Sequence, residues 1–361
     1  MFLRTSLAAA AAALVLVACG GGDDPAPFQY DKLVSFGDSL SDLGTHNVGT
    51  IKFLADNTGG AGRWTINSAA GNDMWTERLA AQVGVDKPCP AETGLLPNIE
   101  DIVGAPITTM AGCFSYAQGS SRITNPLGPN SYALQALNQQ TLGLIAKPVA
   151  DQMAAHLAAS GGSYSGKELV TILAGANDVF MELAFLGTEL GAPTPEEAVV
   201  RVATAGAALG QLIKTQVVDK GAKRVLVLNV PDVAGTPFAK SLGTGGVALI
   251  DAMTTAFNAQ LAAQLKDVPN VRLGDAYAVS KDQGANPAAY GLSNVTDVAC
   301  GPNALSVSAT ANGTALVCNS NYLVDGDTSR YQFADDVHPT PYGHQLLAQF
   351  ALKELAQAGW L

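Results

Sequence analysis

Two stretches of this chain are too apolar to lie at a surface: Glu168–Ala174 (ELVTILA) and Arg224–Val230 (RVLVLNV). Neither alternates between apolar and polar residues, as a strand with one wet face does. A strand without that alternation must be covered on both faces, which is the condition of a parallel sheet. Lys32–Phe36 and Val271–Leu273 are shorter runs of the same kind. Between them Met74–Val83, Pro148–Ala159, Pro195–Val218 and Val247–Leu265 carry helical spacing, and a last helical segment runs from Pro341 to the C-terminus. This order predicts an α/β protein with three layers, α/β/α, around a central parallel sheet. Ligands of such sheets bind beyond the carboxyl ends of the strands. Attention therefore falls on Gly37-Asp38-Ser39, Gly175-Ala176-Asn177-Asp178 and Asn229-Val230-Pro231-Asp232. Gly84–Leu127 and Ser280–Ala334 lack clear periodicity and read as surface excursions; loops of this length in a compact domain are often functional.

The front of the chain has a different character. Arg4 is its one charge before position 23, and Leu7–Val17 is an apolar run too short to span a bilayer. The run ends in Leu16-Val17-Ala18-Cys19, similar to the lipobox of bacterial lipoproteins, which implies cleavage before Cys19 and its lipidation. An ordinary secretory signal with an incidental cysteine is the alternative. Residues 1–18 are thus expected to be a signal peptide, 19–27 (CGGGDDPAP) a flexible tether, and 28–361 one domain. The expected location is the bacterial cell envelope, with an N-terminal lipid anchor as the membrane contact.

The chain has 20 Lys and Arg against 31 Asp and Glu, so losing Arg4 leaves 19 minus 31, or −12. That balance argues against nucleic acid as a partner. Besides Cys19 there are Cys89, Cys113, Cys300 and Cys318. An even number in an exported chain predicts disulfides. Three pairings are open; Cys89–Cys113 and Cys300–Cys318 are favoured because each closes a short loop rich in Gly, Pro and Asn. No C-x-x-C or H-E-x-x-H spacing occurs, so no metal is expected. The GTGG at 243–246 has neither a preceding strand nor a following Lys and reads as a turn, not a phosphate loop.

Whether Ser39 is a turn residue or a nucleophile depends on a base, an orienter for that base, and donors for an oxyanion. Four histidines could be the base: His46, His156, His338 and His344. His156 falls on a helical face with Met153, and His344 lies inside the last helix, so both read as structural. His46, in a loop, stays open. His338 has the strongest context: Asp335 precedes it by three residues, a spacing at which two side chains meet. Pro339 keeps His338 out of helical angles, and Thr340-Pro341 reads as an N-cap and first helical residue. Asp336 is a second candidate orienter. Asp38 reads as bonding its own turn, and Asp178 as a cap after Asn177.

Ser39 in FGDSLSDLG, Gly119 in SYAQGSSR, Asn177 in GAND, and Asp335 with His338 in DDVHPT resemble the motif blocks of the GDSL, or SGNH, hydrolases, in the family's order. NVPDVAGTPFA and HPTPYGHQLLA point to its lecithinase/haemolysin-like or autotransporter-passenger branch. The resemblance implies a flavodoxin-like fold and a serine esterase or lipase without cofactor, acting on small-molecule or lipid esters. It implies Ser39 as nucleophile, His338 as base and Asp335 as orienter. It places the oxyanion on the backbone N–H groups of Ser39 and Gly119 and the Asn177 amide, with Ser39 opening a helix. Ser120 stands where the family often has a second glycine. The G-x-S-x-G elbow of α/β-hydrolases is absent. The rival readings are a non-catalytic surface lipoprotein that binds glycans or envelope partners, and a sugar O-deacetylase or acyltransferase using the same site. The segment 280–334 is expected to shape the acyl pocket.

Overall fold

The computed structural model describes residues 28–56, 61–68, 72–186, 188, 192–306, 308 and 310–361. The expected signal peptide, Cys19 and the tether lie outside these residues. Four strands form a parallel sheet: β1 (Lys32–Gly37), β4 (Glu168–Leu173), β5 (Val225–Leu228) and β6 (Val271–Gly274), in the order β1-β4-β5-β6. Their register pairs Val34 with Val170, Val170 with Val225 and Val225 with Val271.

Side chains leave these strands alternately up and down, and both directions meet helices. Leu33, Leu169, Leu173, Leu226 and Leu228 pack with Trp75 and Leu79 of α2 (Trp75–Gln82) and Ala351 and Leu355 of α9 (Pro341–Gln357). Val34, Phe36, Val170, Ile172, Val225 and Val227 pack the other way, onto α3 (Val149–Ala159), α5 (Pro195–Leu212) and α7 (Gly243–Leu265). Two covered faces explain the missing alternation, and the architecture is the three-layer α/β/α arrangement. Thr340 caps α9 by accepting the Gly343 N–H at 3.1 Å, with Pro341 in the first helical position.

Several elements depart from expectation. α1 (Gly49–Asp56), α4 (Ala176–Phe185), α6 (Pro237–Ser241) and α8 (Ala276–Ala285) were not expected as helices. GTGG is not a turn but the first turn of α7; its Gly243, at φ 71°, starts the helix where α6 ends. The expected 195–218 helix ends at Leu212 and continues as one π-helical turn, Ile213–Val218. The two excursions are also partly ordered, as an antiparallel pair, β2 (Glu92–Leu95) with β3 (Ala105–Thr109), and a parallel pair, β7 (Asn294–Val298) with β8 (Tyr331–Phe333). Each is pinned by a disulfide, Cys89–Cys113 and Cys300–Cys318, the favoured pairing.

Candidate active site

β1 ends in Gly37, at φ 150°, where a Cβ would overlap the Leu173 carbonyl oxygen of β4. The chain leaves the sheet there and places Asp38 and Ser39 above its carboxyl edge. Ser39 opens only a three-residue 3₁₀ turn, not the expected helix, so an extended helix dipole does not act on it. Asp38 accepts the Leu40 N–H at 3.1 Å. Burial pushes its carboxyl up to about 7, against the pull of that bond and of His338.

His338 reaches Ser39 from the other end of the chain. Its Nε2 stands 2.9 Å from Ser39 Oγ. Its Nδ1 stands 2.9 Å from both Asp335 oxygens, which fixes the proton on Nδ1 and turns the Nε2 lone pair to the serine. Asp335 is itself held: Oδ1 accepts the N–H groups of Val337 (3.0 Å) and His338 (2.7 Å), and Oδ2 that of Ala315 (2.7 Å). Burial works to raise this carboxyl, but the His338 imidazole and these donors outweigh it and hold it below the usual carboxylate range. Asp336 points elsewhere, accepting Asn312 Nδ2 at 2.6 Å. The Trp64 indole covers the imidazole, ring centroids 4.7 Å apart.

The expected donors divide. Asn177, in the first turn of α4, gives one amide hydrogen to the Ser121 carbonyl at 3.0 Å, which orients the amide and leaves its second hydrogen. The Ser39 N–H has no hydrogen-bond partner among the described residues. Gly119 is different: its N–H is taken by Asp42 Oδ2 at 2.7 Å. A Cβ at Gly119 would overlap the Trp64 indole, so the glycine admits a tryptophan rather than an acyl group. The next residue, Ser120, carries the left-handed conformation, φ 70°, and its N–H has no partner among the described residues. Asp178 does not cap: it accepts Arg122 Nε at 3.0 Å and the Ile123 N–H at 3.1 Å, tying this loop to α4, while Arg122 Nη2 reaches Glu182 at 2.7 Å.

The other histidines are accounted for. His46 is buried, with Nδ1 3.4 Å from Asp42 and Nε2 accepting the Ile145 N–H at 3.1 Å. His156 lies among Phe36, Phe114, Tyr116 and Tyr164 with no hydrogen-bond partner on either nitrogen among the described residues, and burial drives it down to about 4. His344 is buried in α9 and driven down to about 3 for the same reason.

A cavity of about 340 Å³ opens at Ser39, Asn177 and His338. Its walls are largely hydrocarbon, including Leu40, Phe180, Val233, Val279, Leu347 and Phe350. Among the described residues of the second excursion, Ser280, Lys281, Gln283, Gly284, Gln332 and Phe333 line it. No described residue of the disulfide loop 300–318 does; its Ala315 N–H supports Asp335 instead, which corrects the expected pocket role for the described part of that loop. Among the described residues no group of three or more His, Cys, Asp or Glu could hold a metal ion, and no helix is long and apolar enough to cross a membrane.

Sequence comparison agrees with the motif blocks. The chain is 27% identical over 342 residues to an uncharacterised Pseudomonas putida protein from a trpE–trpG intergenic region, covering 93% of this chain and 50% of that one. Esterase EstA of Pseudomonas aeruginosa is 31% identical over 143 residues, covering 38% and 20%. The chain thus spans half or less of the length of these curated relatives. Among solved structures, the acetylxylan esterase Axe2 of Geobacillus stearothermophilus aligns with a TM-score of 0.35 at 13% identity, covering 91% of this chain and 95% of that one. The GDSL-like Lipase/Acylhydrolase family matches residues 33–351, and the chain belongs to that family.

Proposed function

We propose that the protein hydrolyses carboxylic esters through an acyl-enzyme on Ser39. The observation that carries this reading is the run of short contacts from Ser39 Oγ to His338 Nε2 and from His338 Nδ1 to Asp335, each 2.9 Å, at the mouth of a cavity. Ser39 Oγ attacks the ester carbonyl while its proton passes to His338 Nε2. Asp335 holds the imidazolium through Nδ1–H. The carbonyl oxygen, now an anion, is met by the N–H of Ser39, the free amide hydrogen of Asn177 and the N–H of Ser120, which takes the place expected of Gly119. As the tetrahedral centre collapses, His338 gives its proton to the leaving alkoxide and an alcohol departs. Water then attacks the acyl-serine, again losing its proton to His338, and the acid leaves with Ser39 restored.

The hydrocarbon walls favour an ester with an unbranched alkyl chain over an acetylated sugar. Each methylene buried there contributes about 0.8 kcal/mol. In a p-nitrophenyl series from acetate upward, kcat/KM should rise about fourfold per methylene until the cavity is full. A flat series, or a maximum at acetate, would favour the O-deacetylase reading; no turnover of any ester would favour the non-catalytic one. Export and lipidation at Cys19 belong to the same proposal. Two disulfides suit an oxidising compartment, and the mass of the mature N-terminus tests the lipid.

A further inference from the structure

Gln152 is wholly buried on α3, on the same stripe as Val149, Met153 and His156. A carboxamide placed on an apolar stripe costs stability unless all its hydrogen bonds are made. Here they are made, and to backbone that matters for the site. Gln152 Oε1 accepts the Gly37 N–H at 2.9 Å, and Nε2 donates to the Gly37 carbonyl at 2.8 Å. On the side of β1 away from β4, backbone bonds already join Ser35 to Phe114 and Tyr116, and the Gln118 N–H reaches the Gly37 carbonyl at 3.2 Å; the carboxamide adds the one bond to the Gly37 N–H and a second, shorter one to its carbonyl. The same Nε2 lies 3.1 Å from Ser121 Oγ and 2.9 Å from the Lys147 carbonyl, which also accepts Ser121 Oγ–H at 2.8 Å.

The two segments joined in this way carry the reacting parts. Gly37 stands two residues before Ser39. Ser121 directly follows Ser120, and its carbonyl orients the Asn177 amide. Resting on the esterase reading, we infer that Gln152 is a positioning residue: its carboxamide sets the spacing between the nucleophile and the oxyanion donors. It touches neither substrate nor reacting atoms. Misplacement by about 1 Å at such a site can cost a hundredfold in rate. No apolar residue could make these bonds, and a carboxylate would face the Gly37 carbonyl with no hydrogen to give.

The test is a double-mutant cycle in the full-length protein, with kcat and KM measured separately for a p-nitrophenyl ester. Gln152→Met keeps the volume and removes the bonds. It should lower kcat by about 10–100-fold with KM within about twofold of wild type. Asn177→Ala alone should lower kcat by about 10²–10³-fold and leave measurable turnover. On that background Gln152→Met should cost less than about threefold, because it acts through donors already impaired. The same factor on both backgrounds, or a loss carried by KM or by the folded fraction, would overturn the inference and leave the esterase reading intact. A wild type without turnover would sink both. If Gln152→Met does not fold, Ser121→Ala removes one partner of the carboxamide and should show the same coupling on a smaller scale; additivity there overturns the inference as well.

Discussion

Among the described residues stand two buried Asp–His pairs, close in sequence spacing and opposite in use. Asp42 and His46 are four residues apart, Asp335 and His338 three. In both, the carboxylate faces Nδ1 and accepts several backbone N–H groups. Burial works to raise both carboxyls, yet the imidazole and the other hydrogen-bond donors hold both below the usual carboxylate range. The difference is on the far side of the ring. Nε2 of His46 is occupied by the Ile145 N–H and has no lone pair to offer. Nε2 of His338 faces a hydroxyl and an open cavity. An Asp–His pair is therefore a base or a brace according to what stands opposite Nε2.

The largest expected effect separates these roles. His338→Ala should lower kcat by about ten-thousandfold or more with little change in Tm, because the proton acceptor is gone and the fold keeps its core. His46→Ala should do the reverse: kcat per folded molecule within about tenfold of wild type, and stability lower by about 2–4 kcal/mol from the cavity and the orphaned Ile145 N–H. Thermal unfolding and active-site titration on both variants check this. Equal losses of kcat per folded molecule would dissolve the distinction.

A smaller effect comes from His156, whose ring nitrogens have no hydrogen-bond partner among the described residues. Its folded value, about 4, lies below the ordinary histidine value of 6.5, so between these the unfolded chain binds a proton that the native state refuses. Stability from keeping it neutral is complete above pH 6.5 and is lost as pH falls to about 4, by about 3 kcal/mol. His156→Phe, in its aromatic cage, should lose less stability than wild type between pH 7 and pH 4.5 when denaturation midpoints are compared. Equal pH dependence would mean that His156 finds a proton partner.

How much of this was legible followed the range of the forces involved. The sheet was readable because burial on two faces leaves a local mark, the unbroken apolar runs of β4 and β5. Asp335 and His338 were readable because three residues of spacing already bring them together, and Thr340-Pro341 because capping is local. The oxyanion loop was not. A glycine at 119 and a serine at 120 suggest that the glycine holds the unusual backbone, whereas Ser120 does, and only tertiary packing shows Asp42 and Trp64 taking Gly119. The role of the 300–318 loop was hidden for the same reason: one N–H aimed at Asp335 has no pattern. Gln152 did leave a trace, a polar residue on an apolar helical stripe, and that kind of mismatch is worth pursuing in other chains.

The claim on which all this rests is that one hydroxyl, prepared by His338, forms the covalent intermediate. The most direct measurement is labelling with a fluorophosphonate followed by peptide mass mapping. The account predicts a single adduct on Ser39, abolished in Ser39→Ala and slowed severely in His338→Ala but not in folded His46→Ala. An adduct on another serine, or labelling of Ser39→Ala at the wild-type rate, would contradict it.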